Sequence, residues 1–197
     1  MPDTREPVLS NECKLAVFTA LFRGRSDVYA TRWESRRTGR SGYTPECNNR
    51  FVEGVCDLKN VPCGVCPNRA FKVLDRQAVV DHLRGRHVLG LYPLMPDATC
   101  WFLAMDFDEG TWREEVSSVR ATCARLHLPV YIERSRSGTG AHVWFFFSEP
   151  IHASDARALG SRVLSETTGS DRRAKSLRAY DRMFPSQDSV PAGDSET

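Results

Sequence analysis

The spacing of hydrophobic residues changes along the chain, and each spacing predicts a type of element. Apolar residues that recur every three or four positions predict amphipathic helices, whereas alternating or short continuous apolar runs predict strands. The first predicted helix begins after Ser10 and ends at Gly24. Three further helices are predicted over 74–83, 112–126 and 153–167, and a basic helical stretch continues from the last of them to Tyr180. The predicted strands are 28–33, 88–94, 101–108, 129–134, 141–147 and 183–188, and residues 34–42 are predicted to be a basic loop.

The second half of the chain has the order β-α-β-β-α-β, which is the split βαβ unit. This order predicts an α/β (α+β), RRM-like fold over 99–188, in which strand 101–108 is central. One sheet face is predicted to carry the helices and the other face to be open and free for chemistry. An N-terminal α/β segment is predicted over 10–98. The polar ends, 1–9 and 189–197, are predicted to be disordered tails.

The apolar strand 101–108 ends in two carboxylates, Asp106 and Asp108. Side chains two residues apart on a strand point to the same face, so these two charges project together. Close like charges repel unless a cation lies between them, and hard divalent cations prefer carboxylate oxygens. The pair therefore indicates a Mg²⁺ or Mn²⁺ site, and the alternative is that both residues are solvated at a turn.

The next strand pair is joined by a glycine- and serine-rich loop, residues 135–140, which leads into His142. Glycines allow close backbone approach, and turn N–H groups can bind an anion. In the split βαβ order, His142 lies beside Asp106 and Asp108. A metal pair, this loop and a histidine at one sheet edge indicate a triphosphate site.

Four cysteines in the N-terminal segment have the composition of a closed zinc site. Cys63 and Cys66 form a C-x2-C knuckle among turn-forming residues, and Cys47 and Cys56 complete a tetrahedral ligand set. This pattern predicts a structural Zn²⁺ within 43–70, the alternative being four unrelated thiols. The remaining cysteines, Cys13, Cys100 and Cys123, are predicted to be core residues.

Composition narrows the class of protein further. The 197 residues are 41% hydrophobic, enough for an ordinary core, and no apolar run approaches the roughly 18 residues that span a membrane. No signal peptide is recognisable, so the sequence predicts a cytoplasmic protein with no membrane partner. The net charge is only +2, yet arginines cluster, as suits a nucleotide or nucleic acid unless they simply form a solvated face. The clusters are Arg32, Arg36, Arg37 and Arg40; Arg134 and Arg136; and Arg172, Arg173 and Arg178.

Together these motifs resemble the archaeo-eukaryotic primase superfamily, in the branch found in TOTE conflict systems and CRISPR-associated primase-polymerases. The resemblance rests on Asp106-Phe107-Asp108, on Ser137-Gly138-Thr139-Gly140-Ala141-His142-Val143-Trp144, on the four-cysteine segment, and on Tyr92-Pro93-Leu94, Cys100-Trp101-Phe102-Leu103 and Phe184-Pro185-Ser186-Gln187-Asp188. It implies two-metal, template-directed transfer of nucleotides from NTP or dNTP to a primer or initiating nucleotide. It also implies a nucleic-acid template and primer as partners, with a helicase or nuclease as a further partner.

The resemblance assigns roles to individual residues. Asp106 and Asp108 would be metal ligands, and the incoming triphosphate would be held by Arg136, Ser137, Gly138, Gly140 and His142. A third carboxylate is expected near the end of the chain. Asp188 is preferred because it ends the predicted strand 183–188, and Asp181 is held in reserve because it would follow a helix, at the negative end of the dipole.

One departure from the family pattern bears on activity. After Phe184–Asp188 a glycine-rich turn and another apolar strand are expected, but residues 191–197 are polar, as in a truncated or degenerate module. Two other functions therefore stay open. One is a non-catalytic, zinc-containing nucleic-acid-binding module, and the other is a two-metal phosphodiesterase.

Overall fold

The computed structural model describes residues 9–108, 110–170 and 177–190. The helices are α1 Asn11–Leu21, α2 Arg76–Leu83, α3 Trp112–Arg125 and α4 Ala153–Ser170. The strands are β1 Ala30–Glu34, β2 Ser41–Pro45, β3 Leu89–Gly90, β4 Thr99–Asp108, β5 Tyr131–Arg134, β6 Gly140–His152 and β7 Tyr180–Phe184. The predicted tails fall almost wholly outside the described residues. No helix in the described ranges has both the length and the apolar character needed to cross a membrane.

The C-terminal half forms the predicted β-α-β-β-α-β unit, which confirms the mixed α/β fold class. Its antiparallel sheet has the order β5-β6-β4-β7, with β4 in the centre. Helices α3 and α4 cover one face. There Leu103, Met105 and Phe107 of β4 are fully buried against Val119 and Val163 of the two helices.

The opposite face of this sheet is partly covered by the N-terminal segment. Phe22, which follows α1, packs edge-on against Trp144 and Phe146 of β6, with ring centroids 5.0 and 5.4 Å apart. It also approaches Phe102 of β4. The expectation that this whole face would be open is therefore wrong at its centre, because aromatic side chains there are covered by Phe22 and α1, and it holds only toward Asp106 and Asp108.

The N-terminal segment contains a second antiparallel sheet, of order β2-β1-β3. Ser10 caps α1 by accepting a hydrogen bond from the backbone of Cys13, and Asp75 caps α2 through Ala78. Strand β2 was not predicted, because its sequence Ser41–Pro45 has little apolar periodicity. The residues predicted as a basic loop are instead the turn and flanks of a β1–β2 hairpin.

The end of the chain differs most from prediction. Strand β7 begins at Tyr180 and ends at Phe184, whereas 183–188 was predicted. Most of the predicted basic helix, 171–176, lies outside the described residues, and 177–179 is not helical. Buried Glu115 of α3 explains this, because its carboxylate accepts backbone hydrogen bonds of 3.0 Å from both Arg178 and Ala179. These bonds fix a non-helical path into β7.

Candidate active site

Three carboxylates meet at the end of the central strand. Asp106 and Asp108 project from β4 as predicted, and Asp181 of β7 joins them, so that one oxygen of each lies within 4.8 Å of the others. The register explains the position of Asp181. Asp106 pairs with Arg182 but Phe107 pairs with Tyr180, so Asp181 is the extra residue of a bulge. A bulge redirects side chains, and here it turns Asp181 to the face of the β4 pair.

The preference for Asp188 over Asp181 as the third carboxylate is not supported by this placement. Asp188 lies beyond the end of β7 and pairs with Arg157 of α4, with Oδ1 and Nε 3.3 Å apart. The difference has two causes. Strand β7 ends four residues earlier than predicted, and Asp181 lies in that strand rather than at a helix terminus.

One carboxylate oxygen of Asp106 lacks a hydrogen-bond partner. Its Oδ1 atom is buried and has no hydrogen-bond partner, and Nε2 of His142 lies 3.7 Å from it. Burial, and then the neighbouring Asp108 carboxylate, raise the pKa of Asp106. A buried carboxylate oxygen without a partner is costly, and a divalent cation is the partner that such an oxygen set prefers. The donors present therefore fit Mg²⁺ or Mn²⁺.

His142 lies in the middle of a row of polar side chains that crosses three strands. It pairs with Asp106 on β4 and with Glu133 on β5. Its Nδ1 lies 3.3 Å from Oε2 of Glu133, and Nε1 of Trp144 donates to the same oxygen at 3.1 Å. The hydrogen bond that Glu133 accepts from His142 raises the pKa of His142, and the same contact lowers the pKa of Glu133.

Glu133 was not identified from the sequence. Its signal was present, because β5 ends in the two charged residues Glu133 and Arg134 immediately before the glycine-rich loop. Alternation along β5 together with the β5–β6 pairing would have placed it beside His142. Residues Arg136 and Ser137 of the loop border the same cleft as His142 and the three carboxylates.

The two loop glycines have separate structural reasons. Gly138 has φ +78°, and a side chain there would also meet the guanidinium of Arg134 at 2.8 Å. A Cβ on Gly140 would collide with the backbone oxygen of Phe107 and would lie 2.5 Å from Oδ1 of Asp108. Gly140 thus lets β6 pass close to the carboxylate, and neither glycine is among the residues lining the cleft.

The four predicted zinc ligands share one small cavity. Cys47, Cys56, Cys63 and Cys66 all line it, and a short 3₁₀ helix, Cys63–Val65, lies within the C-x2-C segment. The backbone N–H of Ala70 donates to Sγ of Cys47 at 3.4 Å. Burial, followed by the other three thiols, raises the pKa of Cys63. Among the described residues, these sulfurs do not form a group as close as the three carboxylates.

The other three cysteines differ in burial. Cys100 and Cys123 are fully buried in the core, as predicted, and burial raises the pKa of Cys100 to about 11. Cys13 was predicted to be in the core but is exposed on α1, because Leu15 is the residue of that helix that is buried.

Comparison with known proteins finds a matching family model and a similar solved structure. A family model described as the archaeo-eukaryotic primase domain of TOTE conflict systems matches residues 13–195. A solved structure, the polymerase domain from Mycobacterium tuberculosis Ligase D in complex with DNA, is 16% identical. That likeness covers 85% of this chain and 68% of the other, at a TM-score of 0.45. A search of the curated proteins returned no match.

Proposed function

Because the chain belongs to the archaeo-eukaryotic primase domain family of TOTE conflict systems, we propose that it is a primase-polymerase catalytic module. Its reaction is template-directed transfer of a nucleotide from NTP or dNTP to a primer or an initiating nucleotide. The observation that carries this proposal is the meeting of Asp106, Asp108 and Asp181 on one face, with a buried oxygen of Asp106 left without a partner.

The three carboxylates would hold the divalent ions, Mg²⁺ or Mn²⁺. Ions bound there would stabilise the negative charge that develops on the attacking and leaving oxygens. Asp106 would be the central metal ligand, because it lies between His142 on one neighbouring strand and Arg182 on the other. Asp108 and Asp181 are exposed and can reach ions from the solvent side.

The triphosphate would lie over the β5–β6 loop. Arg136 offers a planar, always charged guanidinium, and the Ser137 hydroxyl can donate to a phosphate oxygen. Gly138 and Gly140 would act through the backbone, by permitting the turn and the close passage of β6. His142, oriented by Glu133, would donate to the triphosphate from Nε2. The primer 3′-hydroxyl would lose its proton to solvent as its oxygen bonds to the α-phosphorus. The bond between the α-phosphorus and the oxygen that bridges to the β-phosphorus would break, and pyrophosphate would leave.

The same proposal includes a structural zinc ion bound by Cys47, Cys56, Cys63 and Cys66, in the segment 10–98 that precedes the catalytic unit 99–188. Four protein ligands would leave no open position for substrate, so this ion would stabilise the fold and take no part in transfer. Reduced thiols are needed for this role, and we therefore place the protein in the cytoplasm. A helicase or nuclease partner stays a prediction.

The test is extension of a primer on a template with a labelled nucleotide, in the presence of Mg²⁺ or Mn²⁺ and in matched reactions with chelator. Metal-dependent incorporation that is lost in Asp106→Asn is expected. If a well-folded protein binds the primed template but adds nothing in either metal, the non-catalytic binding module is the better description. Release of nucleotides from the primer without any addition would instead indicate the phosphodiesterase.

A further inference from the structure

The β1–β2 hairpin carries a surface that the catalytic carboxylates do not explain. Its turn, residues 35–40, contains three exposed arginines and no acidic residue. Within the described parts of the chain, Arg36, Arg37 and Arg40 form no ion pair. The nearby Arg32 is already paired with Glu34, at 3.0 Å. Three uncompensated guanidinium groups at a hairpin tip are suited to a polyanion.

Next to this tip, an aromatic ring is exposed toward the cleft. Tyr43 of β2 is 55% exposed and stands opposite Arg32 in the β1–β2 register, so both lie on one face of the hairpin. That face lines the same cleft as Asp106, Asp108 and Asp181. The hairpin therefore faces the catalytic carboxylates across a cleft of about 1700 Å³.

The position of the Tyr43 ring depends on a small residue two strands away. A Cβ on Gly90 of β3 would lie 2.7 Å from Cδ1 of Tyr43, and Ala30 is the β1 residue that pairs with Gly90. The ring thus reaches across β1 to lie over Gly90, and 55% of Tyr43 stays exposed. An exposed ring held in this way can stack on a base, because every base offers a π-face.

We propose that the β1–β2 hairpin binds the single-stranded template segment next to the site of synthesis. In this arrangement a base stacks on Tyr43, and Arg36, Arg37 and Arg40 bind the phosphates that follow it. The charge at the tip selects a polyanion, and the neighbouring aromatic ring selects unpaired bases over a duplex. The inference rests on the proposed function for the identity of the strand, but the binding itself can be measured without any catalysis.

The first experiment measures binding of fluorescein-labelled oligothymidine by fluorescence anisotropy over a salt series. The Tyr43→Ala variant should bind the oligonucleotide about tenfold more weakly, because it loses the stacked base. The Tyr43→Phe variant keeps the ring and should bind like the unmodified protein. On an oligonucleotide without bases, Tyr43→Ala should no longer differ from the unmodified protein. Equal binding of oligothymidine by Tyr43→Ala, or an equal loss with Tyr43→Phe, would overturn the stacking interaction.

The second experiment removes charge. Arg36→Ala/Arg37→Ala should lower the slope of log affinity against log salt by about 0.7 for each phosphate that is no longer neutralised, with and without bases on the strand. The matched control is Arg113→Ala/Arg120→Ala, which removes two exposed arginines from α3 on the other side of the sheet. An equal change in the control pair, or no change in the hairpin pair, would overturn the binding of phosphates by the hairpin.

Failure of this inference can be distinguished from failure of the proposed function. Binding of oligothymidine is measured without nucleotide or divalent metal, so its outcome does not depend on whether the protein incorporates nucleotides. Hairpin-dependent binding in a protein that never incorporates nucleotides would contradict the polymerase activity alone. Incorporation and strand binding that both survive the Tyr43→Ala and Arg36→Ala/Arg37→Ala changes would contradict the hairpin surface alone.

Discussion

The carboxylate of Asp181 reaches those of Asp106 and Asp108 because β7 carries one extra residue beside Phe107. In a regular antiparallel pair, Asp181 would stand opposite Phe107 and point into the core. The bulge lets partly buried Tyr180 pack against the core there, with its ring 5.7 Å from that of Phe107, and turns Asp181 to the open face. One residue of register therefore decides whether two or three carboxylates share the site.

This placement predicts different outcomes for two conservative changes near the end of the chain. Asp181→Asn should reduce metal-dependent incorporation by at least about a hundredfold, since it removes a charge from the group whose oxygens lie within 4.8 Å. Asp188→Asn should leave incorporation nearly unchanged, because Asp188 pairs with Arg157 on another part of the surface. Steady-state incorporation rates check both, and a larger loss for Asp188→Asn would reverse the assignment.

Glu133 predicts a second residue-level effect. Its carboxylate is shared by His142 and the indole N–H of Trp144, so it fixes how the imidazole is turned. We expect Glu133→Ala to lower kcat/KM for nucleotides roughly tenfold to a hundredfold, because a misplaced substrate-binding group costs about that much.

Two readouts separate this positioning role from a general loss of stability. Glu133→Gln keeps an acceptor for Trp144 and for an Nδ1–H group, and should recover most of the activity. The fluorescence of Trp144 should change in Glu133→Ala even without substrate. Equal kinetics for the Ala and Gln variants would argue against this role.

At the scale of elements, Asp181 is positioned by the contact between α3 and residues 178–179, which lead into β7. Glu115 is 4% exposed and accepts hydrogen bonds from the backbone of Arg178 and Ala179 and from the Thr111 hydroxyl. A carboxylate in the first turn of a helix is also favoured by the positive end of the dipole. The same side chain therefore stabilises the start of α3 and holds the path into β7.

Removing this carboxylate should cost stability. In Glu115→Ala, two N–H groups lose their acceptor, and we expect the free energy of unfolding to fall by roughly 2–4 kcal/mol, since an unsatisfied buried donor costs about 1–3 kcal/mol. Glu115→Gln, with one carbonyl left, should lose about half as much. Denaturant titration measures both changes. Glu114→Ala, at an exposed position on the same turn, is the control and should stay within about 0.5 kcal/mol of the unmodified protein. A small loss for Glu115→Ala would mean that these bonds contribute little.

At the scale of the whole molecule, the two sheets are joined around the cleft by packing that begins at Phe22. The ring of Phe22 lies between α1 and the aromatic centre of the larger sheet, so that the N-terminal segment covers part of the sheet face whose open end carries the carboxylates. The lining of the cleft comes from both sheets. Residues 10–98 are thus part of the architecture around the carboxylates, so a structural ion bound in that segment would act on the site only indirectly.

The proposed zinc ion gives a prediction at this scale. Elemental analysis of the purified protein should find one zinc ion per chain, and Cys63→Ser should lower that content, whereas Cys13→Ser, at an exposed thiol of α1, should not. Removal of the metal should speed hydrogen exchange within 43–70 without an equal effect on β4. Two results would contradict the structural role: purified protein that contains no zinc, or a hydrogen-exchange pattern that chelation does not change.

The sequence alone was sufficient for the elements whose periodicity is strong and for the motifs that lie within one element. The 3.6-residue spacing in α3, the apolar run of β4 and the order β-α-β-β-α-β predicted a sheet with β4 in its centre, as observed. Within β4, alternation placed Asp106 and Asp108 on one face, and the family resemblance was confirmed over residues 13–195.

Tertiary structure decided what depends on pairing between distant strands. The bulge that selects Asp181, the alignment that brings Glu133 to His142, and the hairpin that turns Tyr43 toward the cleft all depend on register, which is set by packing rather than by local pattern. Strand β2 shows the same limit, since its five residues have little periodicity and form a strand because β1 provides their hydrogen-bond partners. Local propensity is a weak signal for such segments, and the path into β7 exists because buried Glu115, 63 residues away from Arg178, binds it.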